Sequence, residues 1–192
     1  MKIAISAAET SGDLIASSLV KSLKAISPKY EIDGLAGNKM IEAGCKSLWH
    51  TDEINVMGIS EVVKKLPQVL GVRKSIISYY SLNKPDVFIG VDSPDFNFKI
   101  EKKLRRLGVK TIHLVSPSVW AWRAKRIKKI KESTDLILCL FPFEVDFYRK
   151  HNQKALFIGH PLAEKLSPRK NYKENKQVLL MPGSREAEIK TL

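Results

Sequence analysis

The chain of 192 residues is predicted to fold as an α/β protein with a doubly wound parallel sheet. Three observations carry that prediction. Short apolar runs alternate with helical segments over residues 1–162, the rhythm of βαβ units. Asp86–Val91 is an almost continuous apolar run, as in a parallel strand covered on both faces. Glycine, proline and aspartate punctuate the junctions between segments.

Lys2–Ser6 reads as a short buried strand, and Ala7–Asp13 as a loop of small residues. From Leu14 to Ile26 apolar residues recur at helical spacing, with Ile15, Leu19, Leu23 and Ile26 on one side. Pro28 closes that helix. Ile32–Gly37 is the second strand, followed by a short helix over Asn38–Ala43 and a weak strand at Lys46–Trp49. Residues 58–83 are helical in pattern, with an interruption expected at Pro67. Asp86–Val91 is the central strand, Asp92–Asn97 its loop, and Phe98–Leu107 a basic amphipathic helix that Gly108 caps. Thr111–Val115 is a strand, then come the loop Ser116–Trp122 and a basic helix. Leu136–Phe141, Phe143–His151 and Ala155–Ile158 complete the pattern as strand, helix and strand.

Residues 1–162 therefore read as one domain. Residues 163–176 are polar and aperiodic, as in a linker. Residues 177–192 hold one strand and the first turns of a helix, too little to bury an apolar face. They read as the beginning of a second domain.

Composition narrows the function classes. Cys45 and Cys139 stand far apart and form neither a disulfide framework nor a metal-ligand spacing. The four histidines show no metal-binding spacing, so no metal or other cofactor is expected. No signal peptide or membrane-spanning run is seen. The net charge of +13 is uneven: residues 1–100 hold 12 Lys/Arg against 11 Asp/Glu, and residues 101–192 hold 21 against 9. Such a field attracts anions. Within the basic run 123–131, Ile127 and Ile130 sit three apart, as in a helix resting its apolar side on a core.

Ligands of an open parallel sheet bind outside the carboxyl ends of the strands, and three unusual loops fall there. In Glu9-Thr10-Ser11-Gly12-Asp13, small residues admit a ligand to the backbone and the next helix start favours an anion. Alternatively Ser11 or Asp13 merely caps that helix. In Asp92-Ser93-Pro94-Asp95, a carboxylate at a buried strand end is partly desolvated, which raises its pKa toward that of a useful general base. One of the two aspartates is expected to cap the next helix; that work is assigned to Asp95, leaving Asp92 free. In Ser116–Arg123, Trp120 and Trp122 either wall a pocket or cover a helix–sheet seam. Pro182-Gly183-Ser184-Arg185 after a strand is a further anion candidate.

Together these segments resemble the lipid A disaccharide synthases, inverting glycosyltransferases of the two-lobed GT-B type. The matching motifs are AAETSGD (7–13), LAGNKMIEAG (35–44), VMGISEVV (56–63), KPDVFIGVDSPDFN (84–97), KTIHLVSPSVWAWR (110–123), LFPFE (140–144), FIGHPL (157–162) and LLMPGSR (179–185). One departure is visible, Ala8 where the family usually has glycine. The resemblance implies a Rossmann-like N-terminal lobe on the acceptor side, with 177–192 opening the nucleotide-binding lobe. It implies transfer of a diacylglucosamine from UDP-2,3-diacylglucosamine to 2,3-diacylglucosamine 1-phosphate, with release of UDP. On that reading Asp92 is the catalytic base and Glu9, Ser11, Gly12, Ser116, Trp120 and Arg185 contact substrate, Arg185 at the nucleotide phosphates. Because family members are about twice this length, the chain by itself is expected to have little or no synthase activity. Peripheral attachment to the cytoplasmic membrane's inner face is also implied, and a homodimer formed through the C-terminal half. Dense apolar residues from Val62 to Ile77, interspersed with Lys64, Lys65, Arg73 and Lys74, suit an anionic membrane surface or a core-packing face equally.

Two alternatives follow from residue types alone. A UDP-sugar 2-epimerase-like enzyme would share the scaffold without needing the paired tryptophans. A basic nucleic-acid-binding domain would use the charge of residues 101–192, but the aromatics cluster in one loop instead of interleaving with the basic run, so no nucleic acid is expected.

Overall fold

A computed structural model of the chain describes residues 1–54, 59–119, 126–163 and 166, with backbone alone for 59–64. Its strands are β1 (Lys2–Ala7), β2 (Glu31–Ala36), β3 (Lys46–His50), β4 (Val87–Val91), β5 (Lys110–Leu114), β6 (Leu136–Cys139) and β7 (Ala155–Phe157). They form one sheet in the order β3-β2-β1-β4-β5-β6-β7, and each neighbouring pair is parallel. The helices between them are α1 (Thr10–Ile26), α2 (Asn38–Glu42), α3 (Ile59–Leu82), α4 (Pro94–Arg106), α5 (Ile127–Ser133) and α6 (Pro142–Lys150). This is the doubly wound parallel sheet that the sequence predicts. The winding proceeds outward from β1 in one direction and from β4 in the other, so the reversal lies between those two central strands.

Strand side chains alternate between faces, and the two faces carry separate cores. Ile3 and Ile5 pack with Ala16, Val20, Ile32 and Met40 under α1 and α2. Ala4 and Phe88 pack on the other face with Ile76, Tyr80, Ile100 and Leu104 of α3 and α4. Full burial of one such aliphatic or aromatic side chain is worth about 1.5–3 kcal/mol. A third cluster, with Phe98, Val119, Ile130, Ile137 and Tyr148, seats α5 and α6. The predicted packing of Ile127 and Ile130 holds: Ile130 is fully buried and Ile127 packs beside it. Cys45 and Cys139 are free and buried, and burial pushes both thiols up to about 12.

Three boundaries differ from the prediction for physical reasons. Helix α1 begins at Thr10, so Ser11, Gly12 and Asp13 belong to its first turn and not to a loop. Helix α4 begins at Pro94, whose fixed φ suits the first helical position. Pro67 does not break α3, which runs unbroken from Ile59 to Leu82. Past the proline, Val72, Ile76 and Tyr80 recur every four residues and are buried against the sheet, anchoring the helix. The same face therefore serves the core, while Leu66 and Leu70 stay exposed. The expected linker 163–176 and second-domain start 177–192 lie outside the described residues, apart from Ala163 and Leu166.

Neither Ser11 nor Asp13 caps α1; its N-cap is Glu9, with no side-chain cap bond. Asp13 does different work. Its buried carboxylate accepts the backbone N–H groups of Gly37 at 2.9 Å, Lys39 at 2.9 Å and Met40 at 3.1 Å, and so caps α2 from the neighbouring helix on the same face of the sheet. A side chain on Gly37 would collide with that carboxylate, since a Cβ there would lie 2.6 Å from Asp13 Cγ. Removing the acceptor leaves buried donors unpaired at about 1–3 kcal/mol each. Asp13→Ala is therefore expected to cost about 3 kcal/mol, lowering the melting temperature by about 6–12 °C in thermal denaturation. An unchanged melting temperature would show that the cradle carries no stability.

Candidate active site

In an open parallel sheet ligands are received where the winding reverses, which here is the crevice position at the carboxyl ends of β1 and β4. A two-residue connection, Ala8–Glu9, leads from β1 into α1, and Asp92–Ser93 leads from β4 into α4. Both helices start at the crevice, and neither has a side-chain cap bond at its first turn. Two helix starts set side by side favour negative charge between them.

Asp92 and Ser93 adopt the left-handed region in succession, with φ of 53° and 41°. Aspartate tolerates that region better than most residues, but two non-glycine residues in series store strain that the surroundings must hold. Three interactions hold it. The Asp92 N–H donates to the Leu114 carbonyl on β5 at 2.9 Å. The Ser93 hydroxyl donates to Glu9 Oε1 at 2.7 Å, which bridges the two loops. The fully buried Asn97 donates its amide to the carbonyls of Asp92 at 2.9 Å, Val91 at 3.1 Å and Ser6 at 3.2 Å, while its oxygen accepts the Ser6 hydroxyl at 2.8 Å. With its backbone fixed in this way, Asp92 is half-buried and its carboxylate makes no hydrogen bond to any described residue. That leaves the group available to accept a proton from a bound hydroxyl.

Gly12 brings α1 against this turn. A Cβ there would stand 3.3 Å from the Val91 carbonyl and 3.7 Å from Asp92 Cβ, so its smallness serves helix-on-strand seating. Ser11 is exposed in the same helical turn. Asp95 does not cap α4 as predicted: the N-cap position falls to Ser93, and Asp95 projects outward to Arg126 at 3.8 Å and Lys129 at 3.5 Å. Ser116 follows β5, and its hydrogen-bond partners are neither Glu9 nor Ser93. It is buried, with its hydroxyl 3.0 Å from the Tyr148 hydroxyl and within reach of the Pro117 carbonyl, so it shapes its loop. Before it, Val115 is also left-handed, at φ 77°, an outlier for a β-branched residue at the end of β5. Trp120, Trp122 and Arg185 lie outside the described residues. Among the described residues no group of three or more His, Cys, Asp or Glu side chains could hold a metal ion.

Beneath the turn lies a polar layer that sequence reasoning missed. Glu101 of α4 and His113 of β5 are both fully buried, with Nδ1 and Oε1 2.7 Å apart. Glu101 Oε2 and His113 Nε2 have no partner. Burial pushes the Glu101 carboxyl above its ordinary range, opposed by His113. Gly90 leaves room for this layer, because a Cβ there would collide with Glu101 Oε1 and Asn97 Cβ. One signal was present in the sequence: Asn97 and Glu101 are four apart, flanked by the apolar Phe96, Phe98 and Ile100, which places both on the inward side of α4.

Comparison with known proteins adds to this geometry. A family model described as lipid-A-disaccharide synthetase matches residues 3–192. A lipid-A-disaccharide synthase of Francisella philomiragia is 46% identical over 100% of this chain and 54% of its own length. One of Aliivibrio salmonicida is 47% identical over 98% of this chain and 52% of its own length. The chain thus spans about half the length of the curated relatives it matches. A solved structure described as the glycotransferase of kitacinnamycin aligns with a TM-score of 0.47 at 14% identity, covering 92% of this chain and 55% of that one.

Proposed function

This chain belongs to the lipid-A-disaccharide synthetase family, and on that premise we propose that it supplies the acceptor-side lobe of a glycosyltransferase forming the lipid A disaccharide. The donor is UDP-2,3-diacylglucosamine and the acceptor 2,3-diacylglucosamine 1-phosphate. The observation that carries the reading is the Asp92 carboxylate, held on a strained turn at the crevice with no hydrogen bond to any described residue. In the reaction the acceptor's 6-hydroxyl oxygen attacks the anomeric carbon of the donor, and Asp92 takes its proton. The bond from that carbon to the diphosphate oxygen breaks, its electron pair leaves with UDP, and the configuration inverts. Glu9 and Ser11 border the crevice at the start of α1, where the helix start favours the acceptor's phosphate. Gly12 and Ser116 act by shaping the two loops. Trp120 contacts substrate, and Arg185 offsets charge developing on the departing diphosphate.

Residues 1–162 form this lobe, 163–176 link, and 177–192 open the nucleotide-binding lobe of a GT-B arrangement. The exposed Leu66 and Leu70 of α3, beside Lys65 and Lys74, give a surface for peripheral contact with the cytoplasmic face of an anionic membrane. Among the described residues no helix is long and apolar enough to cross a membrane. A homodimer would form through the C-terminal half.

Release of UDP from the donor in the presence of both lipid substrates tests the reading. The purified chain is expected to show little or no turnover. A chimera joining it to the C-terminal half of the Francisella philomiragia relative is expected to turn over. Clear turnover by the chain alone sinks the claim that it is one lobe; an inert, well-folded chimera sinks the assigned reaction.

A further inference from the structure

The carboxamide of Asn97 sits where the two strand exits that line the crevice come together. Ser6 of β1 and Gly90 of β4 are register partners, and Asn97, near the start of α4, packs over that pair with no solvent exposure. Its amide reaches one carbonyl on β1, that of Ser6 at 3.2 Å. It reaches two more at the exit of β4, those of Val91 at 3.1 Å and Asp92 at 2.9 Å. The backbone N–H of the same residue donates to the Ser93 carbonyl at 3.0 Å. The Ser6 hydroxyl completes the set by donating to Oδ1 at 2.8 Å. A Cβ on Gly90 would stand 2.8 Å from Asn97 Cβ, so that glycine clears the space the side chain fills. One residue thus grips both members of the left-handed pair, Asp92 by side chain and Ser93 by backbone.

We propose that Asn97 is a positioning residue for the assigned reaction, aiming Asp92 by holding its carbonyl and tying its turn to β1, with Ser6 orienting the carboxamide for that work. The inference rests on Asp92 acting as the base and adds what directs it. Seating α4 does not call for an amide: Phe96, Phe98 and Ile100 on either side are buried and apolar, and they pack into the cores. A buried carboxamide is unfavourable unless its groups are paired, and every side-chain partner of this one belongs to β1 or to the exit of β4. Left-handed conformers of non-glycine residues persist only where the surroundings over-determine them. Fixing the Asp92 carbonyl fixes its Cα, and with it the direction in which the carboxylate leaves the backbone. Ser6 stands three residues before Glu9, so the same carboxamide sets the spacing between the loops that carry Glu9 and Asp92. Turned over, it would aim its oxygen at three carbonyls. The Ser6 hydroxyl, donating to Oδ1, favours the orientation that holds the turn.

The test uses the two-lobe chimera for turnover and the 192-residue chain for the turn itself. Asn97→Ala is expected to lower kcat by roughly 10²-fold, the effect of misplacing a reacting group by about 1 Å, with KM for both lipids little changed. Ser6→Ala removes a single hydroxyl and is expected to lower kcat by about 2–10-fold, again with KM retained. It decides the matter should Asn97→Ala not fold. Ser133→Ala is the control for a purely structural loss. Its hydroxyl is also buried and donates to the Lys129 carbonyl of α5 at 2.7 Å, so the variant is expected to melt lower with kcat unchanged. In the 192-residue chain, hydrogen exchange of the Asp92 amide is expected to quicken by about 2–10-fold in Ser6→Ala and by more in Asn97→Ala, relative to Ile89 of the same strand. Unchanged exchange at Asp92 in a folded variant overturns the proposal. So does wild-type kcat in Ser6→Ala, a loss that appears in KM alone, or an equal loss of kcat in Ser133→Ala. An inert wild-type chimera counts against the assigned reaction, and the exchange measurement, which needs no turnover, then decides whether Asn97 holds the turn.

Discussion

Asp92→Asn is expected to lower disaccharide formation by about 10²–10⁴-fold in the two-lobe chimera, the range over which a positioned general base contributes. The choice of asparagine matters. Residue 92 sits at φ 53° and residue 93 at φ 41°. Asparagine enters the left-handed region readily, whereas alanine would strain the turn and confound lost chemistry with lost geometry. The carboxamide also keeps the size of the carboxylate but cannot take the proton from a hydroxyl. With the base removed and the turn retained, kcat should fall while KM for both lipids changes little. Melting temperature and the amide spectrum around Asn97 report whether the turn has survived. Full activity with the turn intact would remove Asp92 from the mechanism.

The second large effect concerns stability. Glu101→Leu alone, or His113→Leu alone, is expected to cost about 3–5 kcal/mol, because each strands a buried partner. Both groups are fully excluded from solvent and meet at 2.7 Å, and Phe98 lies over the imidazole at 4.3 Å between centroids. The double variant should recover much of the loss, since replacing a whole buried pair with apolar residues is often neutral or better. Thermal unfolding of the four proteins completes the cycle; additive losses would show that the two groups do not act as a pair. The pH dependence has a definite sign. Burial raises the folded Glu101 carboxyl above the ordinary glutamate range, in which the unfolded chain titrates. Between those two values the folded state binds more proton, so stability falls as pH rises across that window. Measured against Glu101→Gln, the wild type should therefore be relatively most stable in acid and lose ground above the ordinary glutamate range.

Much of this was legible in the sequence because strand burial and helix periodicity are local signals. The apolar run that becomes β4, Val87–Val91, read as a covered strand, and Ile127 with Ile130 announced which side of a basic helix packs. The place of Asp92, half-buried at the exit of β4, was legible because the apolar run ends there. Asp95 was misassigned because the choice of cap depends on the left-handed turn, and nothing in the residue order shows that Ser93 would bend that way. Asp13 was misread for a related reason: its partners, Gly37, Lys39 and Met40, are distant in sequence and adjacent only after β1 and β2 pair. The Glu101–His113 pair required α4 to lie over β5, again a tertiary fact. Pro67 shows the opposite error, in which a reliable local rule yields to the anchoring of Val72, Ile76 and Tyr80.

The anchoring of the β4 exit by Asn97, Leu114 and Glu9 has a consequence for how a ligand is received. A loop clamped from three directions has little left to rearrange, so the aspartate side of the cleft behaves as a fixed anvil. The entropy of ordering the surroundings of Asp92 is spent during folding, before any ligand arrives.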